Sequence, residues 1–202
     1  MHPPQTPDCR EPPRATRGSS RDKPISASEF REIEPLGAKH DKLRAAFSCG
    51  VEPLDRYLRQ QASQDARRHA AVPYVLVSKD DRIAGYYTLS SDNIRVDDLP
   101  PGLVQQLKLP RYPVIGATLI GRLARDLSFK GRGIGEVLLV DALERSLAMS
   151  RRIASAAVIV DAKDDHAHRF YTSFGFMPFP ESVKRLFLPM QTIEKLLPVQ
   201  PT

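Results

Sequence analysis

The residues of this chain that could do chemistry are three glycines at alternate positions and one tyrosine beside an aromatic stripe. The stretch FKGRGIGEVLL, residues 129–139, sets Gly131, Gly133 and Gly135 directly before an apolar-rich segment. Glycines let a backbone turn sharply and approach a ligand without Cβ clashes. The first N–H groups of a following helix have no internal acceptors and carry partial positive charge. Together these features make a cradle for a pyrophosphate, with Lys130 and Arg132 as added cations. Two other phosphate motifs are excluded by the residues present. No Lys-Ser/Thr pair follows as a P-loop requires, and Glu136 stands where a dinucleotide fingerprint needs its last glycine. The alternative is a helix start whose glycines serve only close packing of strand on helix.

The tyrosine lies in HAHRFYTSFGFMPF, residues 166–179. At about 100° per residue, Phe170 and Phe174 share one stripe with Ala167, and Tyr171 falls on its flank. Tyr171 is then either a core aromatic with a satisfied hydroxyl or a phenol held beside a reaction. Asp164 and Asp165 read as acids in a first helical turn, favoured by the macrodipole, rather than as general bases. His166 and His168 are two apart on a helix and point in different directions, so no metal pair is expected. Cys9 and Cys49 form neither a disulfide framework nor a metal-ligand spacing, and Cys49 reads as structural.

The elements that must position these residues follow from the patterning. Residues 1–28 form a proline-rich tail with too little apolar surface to offset its ordering entropy, and are expected to be disordered. One domain, 29–202, is expected beyond it. Its first strand, EFREIEPL, ends at Pro35. VEPLDRYLRQQASQDARRH reads as one helix with Leu54, Leu58, Ala62 and Ala66 on its apolar face, opened by Pro53. PYVLVS and RIAGYYTLS read as a hairpin. A polar, proline-punctuated stretch follows, with one helical turn at Leu103–Leu107. Then come a long strand VIGATLIGRLARD, a buried helix after the glycines, a strand RIASAAVIVDA, and a short helix carrying Tyr171. Gly175 suits the left-handed cap that ends this helix. SVKRLFLPM is the last strand and QTIEKLL a tail helix. The order implies an α/β fold, a mixed sheet with helices on both faces.

At this point the sequence resembles the GNAT superfamily of N-acetyltransferases, over about residues 29–197. K130-G-R-G-I-G135 is similar to its Q/R-x-x-G-x-G/A signature, with Lys130 in the Gln/Arg place. DDHAHRFYTSFGF is similar to its N-x-x-A-x-x-F-Y-x-x-x-G-F segment, with Asp164 in the Asn place. The resemblance implies a central mixed, mostly antiparallel sheet and acetyl-CoA as co-substrate. It implies pantetheine pairing with the backbone of Leu123 and Arg125, and pyrophosphate held by Lys130, Gly131, Arg132, Gly133, Ile134 and Gly135. Asp164 stands at a cofactor-contacting place, and Tyr171 becomes the general acid that protonates the CoA thiolate. A phenol of pKa about 10 suits so modest a base.

FSCGVEPLDRYLRQQASQDARRH, PYVLVS, GYYTLS, IGRLARD and VDAKDDHAHRFYTSFGF together resemble the TacT and AtaT type of acetyltransferase toxins from type II toxin–antitoxin pairs. That resemblance implies acetylation of the α-amino group of aminoacyl-tRNA, which blocks translation. It implies a ribbon-helix-helix antitoxin, operator DNA bound only through the complex with that antitoxin, and a homodimer. Two other readings stay open: acetylation of protein N-termini or small amines, and a CoA-binding regulatory module without catalysis. The net charge of +6 and pI near 9.5 suit a polyanionic partner. Arg56, Arg59, Arg67 and Arg68 supply one basic face, with Arg122, Lys184 and Arg185 as further candidate tRNA contacts. An ordinary solvated surface explains the helix face equally well. No apolar run approaches the ~20 residues that cross a bilayer, and the N-terminus lacks a secretory signal's apolar core. The expected location is the cytoplasm, with no membrane partner.

Overall fold

A computed structural model describes residues 29–109 and 112–197, so the expectation for the tail lies outside the described residues. Its elements run β1 (Glu34–Pro35), α1 (Asp41–Arg44), α2 (Glu52–Arg56), a π-helical turn (Tyr57–Gln61), α3 (Ala62–Arg67), β2 (Val72–Val77) and β3 (Ile83–Arg95). Then follow α4 (Pro101–Gln106), β4 (Val114–Arg125), α5 (Ile134–Ser150), β5 (Ala157–Asp161), α6 (Asp165–Ser173), β6 (Met177–Phe179), β7 (Ser182–Pro189) and α7 (Met190–Leu196). The seven strands form one sheet in the order β1-β2-β3-β4-β5-β7-β6. Every neighbouring pair is antiparallel except β4 with β5. The expected mixed, mostly antiparallel sheet is what forms.

Period-two alternation sends successive side chains to opposite faces. Tyr87, Val158, Val160, Leu186 and Leu188 meet α5 and α7 on one face, where Ile134, Leu138, Leu139 and Ile193 are fully buried. Burying each such Leu or Ile side chain stabilises the fold by about 1.5–3 kcal/mol. Tyr86, Val75 and Ala124 point the other way, against Tyr57, Leu58 and Ala62. Farther along that second face, Ile94, Ile159 and Phe187 pack with Leu103 and Val104 of α4. Helices therefore cover both faces.

The structure departs from the sequence reading in several places. The first strand shrinks to Glu34–Pro35 plus a bridge from Phe30 to Ser78. β3 continues through polar Asp92 and Asn93 to Arg95 because β4 pairs with it as far back as Val114, so pairing overrides the polar composition. β6 had too short a signal to be read. The helix after Pro53 contains a π turn, closed by the Ala62 N–H on the Tyr57 carbonyl. The wider turn lets Tyr57 and Leu58 both enter the core, and Tyr57 stacks on Tyr86 at 6.2 Å between ring centroids.

Candidate active site

Strands β4 and β5 are paired only at Thr118–Val158, Leu119–Ile159 and Ile120–Val160. Beyond Ile120, β4 runs on to Arg125 with β3 as its only strand partner among the described residues. Leu123 and Arg125 thus sit where the two strands have parted, which frees backbone groups for a ligand. The gap widens into a cleft of about 390 Å³ bounded by Leu123–Arg125, the start of α5, and α6, with Cys49, Val51 and Leu54 as the facing wall.

The glycine loop closes one end of the cleft. Gly131 and Gly133 both adopt left-handed backbone, at φ 75° and 69°. A residue with a side chain there would cost about 1–2 kcal/mol. Gly133 is the N-cap of α5, so this 17-residue helix directs its unsatisfied N–H groups into the loop. Gly135 stands where an added Cβ would lie 3.6 Å from the Phe170 ring, so α5 begins against α6. Lys130 is exposed. Arg132 is engaged elsewhere: its guanidinium pairs with Glu29 and lies over the rings of Phe30 and Phe129, at 5.3 and 5.5 Å. In this arrangement the Arg132 side chain is thus paired with Glu29.

Helix α6 places the tyrosine. Asp164 caps it, its Oδ1 accepting from the Ala167 N–H at 2.8 Å. That bond, with help from Lys163, holds the Asp164 carboxyl below its ordinary pKa. Gly175, at φ 86°, ends the helix, and the Phe176 N–H returns to the Tyr171 carbonyl at 3.2 Å. Tyr171 lines the cleft while its ring packs against Phe170 and Phe176, with centroids 5.3 and 5.5 Å away. The residue is 7% exposed. Burial pushes the phenol pKa upward, and the Asp161 carboxylate adds to that. Its hydroxyl makes no hydrogen bond among the described residues, which leaves the proton available to a ligand. Tyr171 is therefore both a member of the core and part of the cleft lining.

The facing wall was not legible in the sequence. Cys49, Val51 and Leu54 come from a loop and a helix start more than 70 positions from the glycines. Burial, then the Asp55 carboxylate, push the Cys49 thiol up to about 11, so it is a poor nucleophile at neutral pH. Among the described residues, no group of three or more His, Cys, Asp or Glu could hold a metal ion.

The basic residues do not form one free surface. Arg59 donates to the Phe47 carbonyl at 2.6 Å, and Arg185 is tied to Asp92 at 2.5 Å with Asp161 at 3.7 Å. Arg122 lies face-on over the Tyr57 ring, 3.6 Å from its centroid. Arg56, Arg67, Arg68 and Lys184 are exposed. None of these four makes an ion pair among the described residues.

Comparison with known proteins gives concordant matches. Residues 40–176 match the acetyltransferase (GNAT) family. The chain is 32% identical over 176 residues to the probable toxin TacT of Sinorhizobium fredii, covering 83% of this chain and 95% of that protein. It is 34% identical over 152 residues to a tRNA-acetylating toxin of Mycobacterium tuberculosis, covering 75% and 89%. Among solved structures, AtaT complexed with acetyl-methionyl-tRNAfMet superposes with a TM-score of 0.74 at 32% identity, over 82% of this chain and 98% of that one. A tyrosine-to-phenylalanine variant of AtaT, bound to acetyl-CoA and the C-terminus of the antitoxin AtaR, gives 0.67 at 29% identity over 82% and 96%.

Proposed function

The chain belongs to the acetyltransferase (GNAT) family, and we propose that within it this protein is the toxin of a toxin–antitoxin pair. Its reaction is transfer of acetyl from acetyl-CoA to the α-amino group of aminoacyl-tRNA, which removes the nucleophile needed for peptide-bond formation. The observation that carries this reading is the placement of Tyr171, with an unbonded hydroxyl, in the cleft between parted strands and a glycine loop. The likeness to a tRNA-acetylating toxin and to AtaT complexed with acetyl-methionyl-tRNAfMet supports the acceptor.

The residues present suit the co-substrate. Two left-handed glycines and the start of α5 offer N–H groups to a pyrophosphate, and the β4 backbone at Leu123 and Arg125 is open to an amide-bearing arm. When bound, acetyl-CoA supplies the acetyl group as a thioester. The chain then has three tasks. The strand gap and the Cys49–Leu54 wall orient an amine toward the carbonyl carbon. The apolar lining excludes water that would compete with the amine. Tyr171 would give its proton to the departing sulfur as the carbon–nitrogen bond forms and the carbon–sulfur bond breaks, and the proton that the amine nitrogen sheds would restore the phenol. Asp164 acts on the site through the helix it caps.

The acceptor arm of a tRNA would meet Arg56, Arg67, Arg68 and Lys184 as mobile phosphate contacts, with Arg122 near the strand gap. Arg59 contributes through the loop it holds, and Arg185 through the strands β3 and β5 that it ties together. The cognate antitoxin is a ribbon-helix-helix protein, operator DNA is contacted through that complex, the toxin acts as a homodimer, and the site of action is the cytoplasm. No helix among the described residues is long and apolar enough to cross a membrane.

Induced expression of wild type beside Tyr171→Phe, with mass analysis of aminoacyl-tRNA, tests the reading. Wild type should arrest growth and acetylate charged tRNA. The variant should lose about 10²–10⁴-fold in kcat, the usual contribution of a general acid, and keep its acetyl-CoA affinity. Acetylation of a peptide or polyamine with charged tRNA unmodified would sink the acceptor assignment. An unchanged kcat in the variant would remove Tyr171 from the mechanism.

A further inference from the structure

The wall facing Tyr171, residues 47–51, is a partly buried loop whose polar groups are held from outside it. The Phe47 carbonyl accepts from Arg59 at 2.6 Å. The Ser48 N–H donates to Asp126 Oδ2 at 2.9 Å, and the Ser48 carbonyl accepts from the Leu127 N–H at 2.8 Å. The Cys49 N–H donates to Asp55 Oδ1 at 2.7 Å, and the Ser48 hydroxyl to Asp55 Oδ2 at 3.0 Å. Both carboxylates are 4% exposed. Burying a charge is costly unless its lone pairs are filled. Here much of the filling comes from a loop that lines the cleft.

Asp126 also reaches the cofactor side. Its Oδ1 accepts the Ser128 N–H at 2.9 Å, capping the turn Leu127–Phe129 that leads directly into Lys130 and the glycines. One carboxylate thus spans the wall and the root of the phosphate loop. Gly50, at φ 80°, supplies the left-handed backbone by which the loop turns beside the Leu127 side chain.

We propose that Asp126 and Asp55 are positioning residues that lock the 47–51 wall to the root of the phosphate loop and so fix the approach of the acceptor amine. This rests on the acetyl-transfer reading above. Neither residue touches the reacting atoms. They act through Cys49, Val51 and the helix start at Leu54. Rigid placement matters because an error of about 1 Å in a reacting group can cost about 10²-fold in rate.

The two carboxylates differ in what an amide could replace. Asp55 accepts from one N–H and one hydroxyl, with the Arg59 guanidinium at a longer 3.8 Å from Oδ2, and a hydroxyl can accept as well as donate. Asn at 55 therefore keeps both hydrogen bonds and gives up only the longer ion pair. Asp126 faces an N–H at each oxygen, so an amide NH₂ there must confront a donor that cannot reverse. A residue serving only bulk stability gives no reason for this asymmetry in catalysis.

The test uses the full chain carrying Cys9→Ser, which leaves Cys49 as the single thiol. Labelling of Cys49 by a disulfide reagent reads the wall directly, without catalysis. Asp126→Asn should label about tenfold faster through local opening. Its kcat on charged tRNA should fall about 10–100-fold, with acetyl-CoA affinity by calorimetry changed less than about threefold. Asp55→Ala should lose kcat similarly, and Asp55→Asn should stay near wild type. Faster labelling with unchanged kcat overturns the proposal, as does slow labelling in Asp126→Asn. Equal loss in Asp55→Asn and Asp55→Ala also overturns it. A wild-type chain that fails to acetylate charged tRNA overturns the functional reading instead, and is recognised by the missing baseline.

Discussion

Burial sets the acid–base behaviour of Tyr171. Desolvation comes first and the Asp161 carboxylate second, and both raise the phenol pKa above its ordinary value. A proton donor works while protonated, so the raised pKa moves loss of function to higher pH. The rate on charged tRNA should climb as the acceptor's α-amino group deprotonates, near pH 7.7–8.0 for an ordinary amine, and should not decline through about pH 10, where an ordinary tyrosine ionises. A descending limb centred near 10 would argue against an acid buried as Tyr171 is. The same burial makes a second, separable prediction. Because the hydroxyl has no partner among the described residues, Tyr171→Phe should change the melting temperature by no more than about 2 °C. A larger fall in a melting curve would mean that the oxygen also holds the fold.

Helix α5 can aim its first turn at the cleft only because it sits close to the sheet. Gly85 of β3 makes that seating possible. A Cβ added there would lie 2.6 Å from Leu138 Cδ1, 2.9 Å from the Ala124 carbonyl oxygen and 3.1 Å from Ile134 Cγ2. The Leu138 side chain could shift, but the Ala124 backbone is locked in the ladder. Gly85→Ala should therefore cost about 1–3 kcal/mol, as overpacked cores do. The displaced helix start should also weaken acetyl-CoA binding. Denaturant unfolding and calorimetry on one variant check both, and a stable protein with normal affinity would show that the seating is not tight. Element α6 was largely legible beforehand: the acid at 164, the stripe of Phe170 and Phe174, and the glycine at 175 are all local signals. The π turn at Tyr57–Gln61 was not, because i to i+4 spacing cannot reveal a turn that is one residue wider.

Across the whole molecule the net charge of +6 favours an anionic partner, but its distribution decides which cations can serve. Arg185 is neutralised by Asp92, and Arg132 by Glu29. Arg67, Arg68 and Lys184 carry their charge into solvent. Affinity for tRNA should fall with salt. Replacing Arg67 and Arg68 together with Ala should reduce the slope of log affinity against log salt by about 2, roughly one per phosphate contact. Arg185→Ala should leave that slope near its original value. A binding titration at several salt concentrations separates the two. Equal slopes for all variants would mean that the tRNA lies on another face.

The sequence by itself determined what depends on neighbours along the chain. The glycine loop, the helix that follows it, the position of Tyr171 on the flank of its stripe and the mixed α/β order are all written within windows of a few residues. Local sterics and helical or strand period act over that range, so spacing is enough to read them. Only the tertiary structure decided the partners. Ser48 meets Asp126 across 78 positions, Arg185 meets Asp92 across 93, and Arg132 meets Glu29 across 103. Such pairs form because the sheet brings distant strands and loops together, and nothing in the spacing of either partner encodes the other. The fold therefore divides the basic residues into free cations and internal ties, and turns a loop around Cys49 into the wall opposite a tyrosine.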